Sequence, residues 1–163
     1  MSGRQLRDPT LVTLVKAAIE RHRLPANALQ IEVSEASITD APDAAHAVLA
    51  ALRSHGVRIG IEDFGTGHSS LSYLRRFNVD TLKIDRSFVL GTPHDPENSA
   101  IATAVVALGH GLRLKVVAEG VESLEQAEFL RSLGCDELQG YLLSRPMDPE
   151  QVVAWLATQP ALA

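Results

Sequence analysis

Residues 57–85 read VRIGIEDFGTGHSSLSYLRRFNVDTLKID, and their pattern predicts a β-α-β unit. Val57–Ile61 is a short β-branched run that fits a buried strand, and Thr81–Ile84 is a second. Ser69–Phe77 between them carries apolar residues at helical spacing. A strand, a helix and a strand at this spacing call for a parallel pair joined by a crossover. Polar residues follow or close each strand. Glu62 and Asp63 come after the first, and Lys83 and Asp85 close the second. Gly65 and Gly67 suit a tight loop, but without a following Gly-Lys-Ser/Thr they form no phosphate loop of the Walker type.

The same alternation extends in both directions. Upstream, Asp8-Pro9 predicts an N-cap and first-turn proline for a helix over Leu11–Arg23, with Leu11, Leu14, Val15, Ala18 and Ile19 on one face. Leu29–Val33 predicts a strand, and Ala44–His55 a helix stopped by Gly56. Downstream, a loop at Gly91–Asn98 precedes a helix over Ser99–His110 and a strand over Leu114–Ala118. Ser123 and Gln126 have capping-box spacing for the next helix, which ends before Gly134. Glu137–Gln139 is a brief strand, and Asp148-Pro149 opens a terminal helix with Val152, Val153 and Trp155. The fold class is therefore α/β, with about five parallel strands and their helices forming a sheet or a barrel. A complete (β/α)8 barrel needs eight strands and ~250 residues. At 163 residues, the expectation is one domain over 1–163 that either forms an open sheet or takes its missing strands from elsewhere.

Composition narrows the function. Hydrophobic residues make up 45% and charged residues 21%, with a formal net charge of −5, a globular balance without a basic stripe. DNA binding, which rests on cationic side chains against phosphates, is not expected. No run approaches the ~20 apolar residues of a membrane span. A single cysteine, Cys135, forms no intrachain disulfide, and a cytoplasmic location is expected. A small buried thiol is the expected role for it. The six histidines show no ligand spacing, and His68 alone lies in a loop near the polar strand ends.

Those strand ends carry the functional reading. Glu32 lies in LQIEVSE, Glu62 and Asp63 in VRIGIEDFGTG, Lys83 and Asp85 in DTLKIDRSF, Glu119 and Glu122 in KVVAEGVES, and Gln139 in DELQGY. Parallel α/β folds place ligands at the carboxyl ends of their strands. Carboxylates on four successive strands, with one lysine among them, suit a divalent cation such as Mg²⁺ or Mn²⁺. Two such ions clamp a phosphodiester and acidify the attacking water. Each acid singly has an ordinary reading as a helix cap or Asx turn, and Lys83 as a solvated side chain. The shared pattern favours a site.

The run IEDFGTGHSSLSYLRRFNVDTLKIDRSFV, followed by KVVAEGVES and LQGYLLSRP, resembles the EAL domain family. The resemblance covers nearly the whole chain and the C-terminal two-thirds of the family's domain. It implies a TIM-barrel-like (β/α) fold, incomplete here for want of its N-terminal strands, and cleavage of cyclic-di-GMP to linear pGpG with Mg²⁺ or Mn²⁺, in bacterial second-messenger signalling. It implies metal ligands at Glu32, Glu62 and Asp63, a lysine on the catalytic water at Lys83, and a general base at Glu119. Glu35 matches the acid that steadies the loop over the metals. Asp85, Glu122 and Gln139 match supporting site residues. The family pair is usually Asp-Asp where this chain has Glu62-Asp63. The Glu-Ala-Leu segment and an asparagine ligand of the family have no counterpart in these residues. Slow or absent hydrolysis by the chain alone is therefore expected, with self-association or a covalently linked regulatory domain. The competing reading is an EAL module without catalysis that binds cyclic-di-GMP or a protein partner.

Overall fold

The computed structural model describes residues 1–25, 27–40, 42–66, 74, 76–80 and 81–158. Five strands form one sheet in the order β1-β2-β3-β4-β5. They are β1 (Gln30–Ser34), β2 (Arg58–Phe64), β3 (Thr81–Ile84), β4 (Lys115–Glu119) and β5 (Glu137–Gln139). Every neighbouring pair is parallel. Eight helices accompany them among the described residues: α1 (Gly3–Leu6), α2 (Leu11–His22), α3 (Glu35–Thr39), α4 (Pro42–Ser54), α5 (Arg86–Val89), α6 (Pro96–Gly111), α7 (Leu124–Ser132) and α8 (Pro149–Thr158).

The pleat divides each strand's residues between two faces. Ile31, Val33, Ile59, Ile61, Leu82, Ile84, Val116 and Ala118 belong to the hydrophobic core that the helices cover. Close approach is built in there, since a Cβ on Gly109 of α6 would lie 2.4 Å from Val116 Cγ2. The alternate residues form a polar stripe on the other face. Across it the Thr81 hydroxyl donates to Gln30 Oε1 at 3.0 Å, and Lys115 Nζ to Glu137 Oε1 at 2.5 Å. Parallel sheets are ordinarily apolar on both faces, so this stripe is the first structural departure that points to a site.

Several expectations are corrected. Asp8 accepts from the backbone N–H of Thr10 at 2.8 Å and from its hydroxyl, an Asx turn that delays α2 to Leu11. The packed face of α2 is Val12, Val15 and Ile19, and Leu14 is 62% exposed. The loop at Gly91–Asn98 is shorter than expected, because Asp95 caps α6 by accepting from the N–H groups of Glu97 and Asn98, with Pro96 following. Glu62 and Asp63 lie inside β2, Glu32 is the middle residue of β1, and Lys83 is inside β3 rather than closing it. The short helices α1, α3 and α5 are additions. Most of the helix expected over Ser69–Phe77, together with Gly67 and His68, lies outside the described residues. The Ser123–Gln126 capping box is present in both directions.

Cys135 is buried, with Sγ 3.3 Å from the Glu137 carbonyl and 3.5 Å from that of Val116. Burial pushes its thiol from 9.0 up to about 11. At pH 8 the thiolate fraction then falls about a hundredfold. Iodoacetamide is expected to label the folded chain about a hundredfold more slowly than the urea-unfolded chain. Equal rates, read by mass spectrometry, would contradict the buried placement. The raised value also means that this group's contribution to stability is complete below 9.0 and is lost as pH rises through about 11.

Candidate active site at the strand ends

Lys83 sits at the centre of the polar stripe and is 3% exposed. Its Nζ pairs with Glu32 Oε2 at 2.8 Å and with Glu119. Burial works against its charge, but the hydrogen bonds to Glu119 and Glu32 prevail and hold its pKa above the ordinary value. Lys83 is therefore a fixed internal cation.

Glu32 reaches it from two strands away. β2 lies between β1 and β3, and the β2 residue paired with Glu32 is Gly60. A Cβ at Gly60 would come within 3.2 Å of Gln30 Nε2 and 3.4 Å of Glu32 Cγ. The missing side chain leaves room for Gln30 and Glu32 to cross β2 to Thr81 and Lys83. Sequence reading passed over Gly60, because only the register reveals what it makes room for.

Strict alternation would send Glu62 and Asp63 to opposite faces. In β2 the pairing with β3 shifts between Ile61 and Phe64. Ile61 faces Leu82 and Phe64 faces Ile84, so Glu62 and Asp63 together oppose Lys83. This is a β-bulge, and Asp63 takes φ 57°. It directs Asp63 towards Asp85 and Glu119, and one oxygen of each of the three lies within 4.8 Å of the other two. Burial, then the charges of Glu62 and Asp85, push Asp63 above the usual carboxylate range, against the pull of Lys83. An all-oxygen set that is short of positive charge fits a hard divalent cation. Glu62 is outside this trio and lies 3.3 Å from the Met1 ammonium. Glu32, expected as a metal ligand, is engaged with Lys83.

Asp85 has two roles. It caps α5 by accepting from the backbone N–H of Ser87 at 2.9 Å, which fixes its carboxylate beside Asp63 and Glu119. Glu35 opens α3, where Ser34 is the cap, and lines a cleft of about 420 Å³ with Asp63 and Thr66. A second cleft of about 250 Å³ brings Glu119, Glu122 and Gln139 together with Arg86 and Tyr141. Asp63 lines the first cleft and Glu119 the second, so both clefts adjoin the trio, whereas Glu62 lines neither. Arg86 and Tyr141 were not singled out, although Arg86 adjoins Asp85 and Tyr141 lies two residues after Gln139.

A family model described as the EAL domain matches residues 1–146. The bifunctional diguanylate cyclase/cyclic di-GMP phosphodiesterase MucR of Pseudomonas aeruginosa is 48% identical over 157 residues, 96% of this chain and 23% of that protein. The signaling protein YkoW of Bacillus subtilis is 43% identical over 161 residues, 99% of this chain and 20% of that one. The chain thus spans about a fifth of the length of these curated relatives. Among solved structures, a PaMucR phosphodiesterase complex with c-di-GMP superposes with a TM-score of 0.88 at 48% identity, covering 93% of this chain and 62% of that one. The EAL domain of Mycobacterium smegmatis DcpA gives a TM-score of 0.90 at 38% identity, covering 96% and 70%.

Proposed function

This chain belongs to the EAL domain family, and from that premise we propose that its strand-end site binds cyclic-di-GMP and hydrolyses it to linear pGpG. The observation that carries the reading is the buried Lys83 held between Glu32 and Glu119, beside the Asp63–Asp85–Glu119 trio. Water adds to one phosphorus, the P–O3′ bond breaks, and the departing 3′-oxygen takes a proton from a solvent water. Glu119 takes the proton from the attacking water, and Lys83 keeps that carboxylate oriented. Lys83 also offers a fixed positive charge to the phosphate oxygens. Asp63 and Asp85 would hold Mg²⁺ or Mn²⁺ beside Glu119. The ion supplies charge neutralisation of the phosphate and a more acidic water. Glu35 braces the Asp63 side, while Glu122 and Gln139 line the substrate cleft.

Glu62 favours a second reading. It stands where the family usually has aspartate, and its extra methylene carries the carboxylate farther from the backbone. Misplacement on the ångström scale costs ~100-fold in rate, so turnover below the common ~1–10³ s⁻¹ is expected. At the limit the domain binds cyclic-di-GMP without cleaving it.

A hydrolysis assay with Mn²⁺ and Mg²⁺, paired with calorimetric titration of cyclic-di-GMP, separates these outcomes. Appearance of pGpG that EDTA abolishes supports the enzyme. Binding without product establishes the non-catalytic module, and neither binding nor product overturns the proposal.

No helix among the described residues is long and apolar enough to cross a membrane.

A further inference from the structure

Arg86 follows Asp85 and opens α5, 60% exposed at its side chain, in a position that suggests only a solvated surface residue. Its contacts are more specific. The guanidinium donates to Glu122 Oε1 at 2.7 Å. Its aliphatic stem crosses the backbone at Gly120, where an added Cβ would stand 2.3 Å from Arg86 Cγ and 2.8 Å from its Cβ and Cδ. Gly120 also has φ +70°, so glycine is required there both for backbone conformation and for the space Arg86 fills.

The segment beneath Arg86 begins with Glu119, the last residue of β4. It is anchored elsewhere by the Val121 N–H, which donates to the Gln139 carbonyl at 3.0 Å. The Glu122 N–H donates to Gln126 Oε1 at 2.7 Å. Those anchors come from β5 and α7. Arg86 is the anchor from the start of α5, directly after Asp85 and three residues beyond Lys83 of β3, the partners of Glu119 within the site.

We propose that Arg86 is a positioning residue: it clamps the Glu119–Glu122 turn to the β3–α5 connection and so sets the placement of the Glu119 carboxylate against Lys83 and Asp85. The guanidinium itself engages Glu122, not the reacting atoms. Because the turn is short, a shift at Glu122 is transmitted through Val121 and Gly120 to the end of β4. Lysine at this position keeps the charge but lacks the planar fork and the same reach.

The inference rests on the phosphodiesterase reading, so its test has an arm that needs no substrate. Residue-resolved amide exchange is compared between the parent chain and Arg86→Met. The Val121 and Glu122 amides are expected to exchange about tenfold faster, while the β4 amides of Val116 and Ala118 are unchanged. In the second arm, Mn²⁺-dependent hydrolysis by Arg86→Met is expected to lose about tenfold in kcat with KM within about twofold, and Arg86→Lys to recover part of the loss. Unchanged exchange at Val121 and Glu122 overturns the clamp. So does a raised KM at constant kcat, which would make Arg86 a substrate contact. A parent chain that cleaves nothing removes the phosphodiesterase reading alone, and the exchange arm still decides whether Arg86 holds the turn.

Discussion

Lys83→Met is expected to lower the rate of cyclic-di-GMP hydrolysis by about 10²–10³-fold and to destabilise the fold as well. Methionine keeps the length and apolar stem of lysine but removes the ammonium. Glu32 and Glu119 then face each other with no cation between them. Breaking a fully buried ion pair costs about 3–5 kcal/mol. Here the two carboxylates are 34% and 23% exposed, so water recovers part of that, and about 2–3 kcal/mol is the better figure. For a chain of this size that corresponds to a fall in Tm of roughly 5–10 °C. Thermal denaturation followed by circular dichroism, alongside the hydrolysis assay, checks both numbers. A variant that melts with the parent and retains its rate within twofold would show that Lys83 is an ordinary solvated lysine. Lys83→Arg tests geometry separately from charge, since it restores a cation with a different shape.

Gly140→Ala is expected to be more damaging to the fold than any surface substitution, at about 3–5 kcal/mol. The added Cβ would lie 2.1 Å from the Val121 carbonyl oxygen, 2.3 Å from its nitrogen and 2.7 Å from its carbonyl carbon. All three are backbone atoms, so no rotamer change relieves the clash. Two hydrogen bonds hold this crossing, from the Val121 N–H to the Gln139 carbonyl and from the Leu142 N–H to the Val121 carbonyl, both at 3.0 Å. Parting the segments breaks both and displaces Glu119 from Gln139, its register partner. Gly111→Ala is the control, because its Cβ would meet nothing within 4 Å and alanine favours the helix. Urea melts of the two variants should differ by the full amount. Equal midpoints would mean that the crossing at Val121 is not as close as described.

Much of this was legible in the sequence, for physical reasons. Apolar runs flanked by polar turns locate all five strands, four of them to within a residue, while β2 runs three residues past its expected end at Ile61. β3 and β5 fall where the pattern puts them. Carboxylates gathered at strand ends announce the site, because a parallel sheet brings successive strand ends to one edge. What the sequence conceals is lateral. Gly60 looks like a weak strand residue until the register sets it between Glu32 and Lys83. Arg86 looks like a helix-surface cation until Gly120 is seen beneath it. The α2 face was misread because Leu14 and Val15 fit adjoining faces of the same helix, and only the packing against α4 chooses between them.

The bulge in β2 also says which substitutions this lineage can accumulate. Asp63 occupies the left-handed region, where aspartate, asparagine and glycine are tolerated and longer or branched residues carry a backbone penalty. Glu62, its neighbour, is under no such restriction. Of the two acids, then, one is held by backbone conformation as well as by chemistry, and the other by chemistry alone. Glutamate therefore stands at the member of the pair whose backbone carries no such restriction.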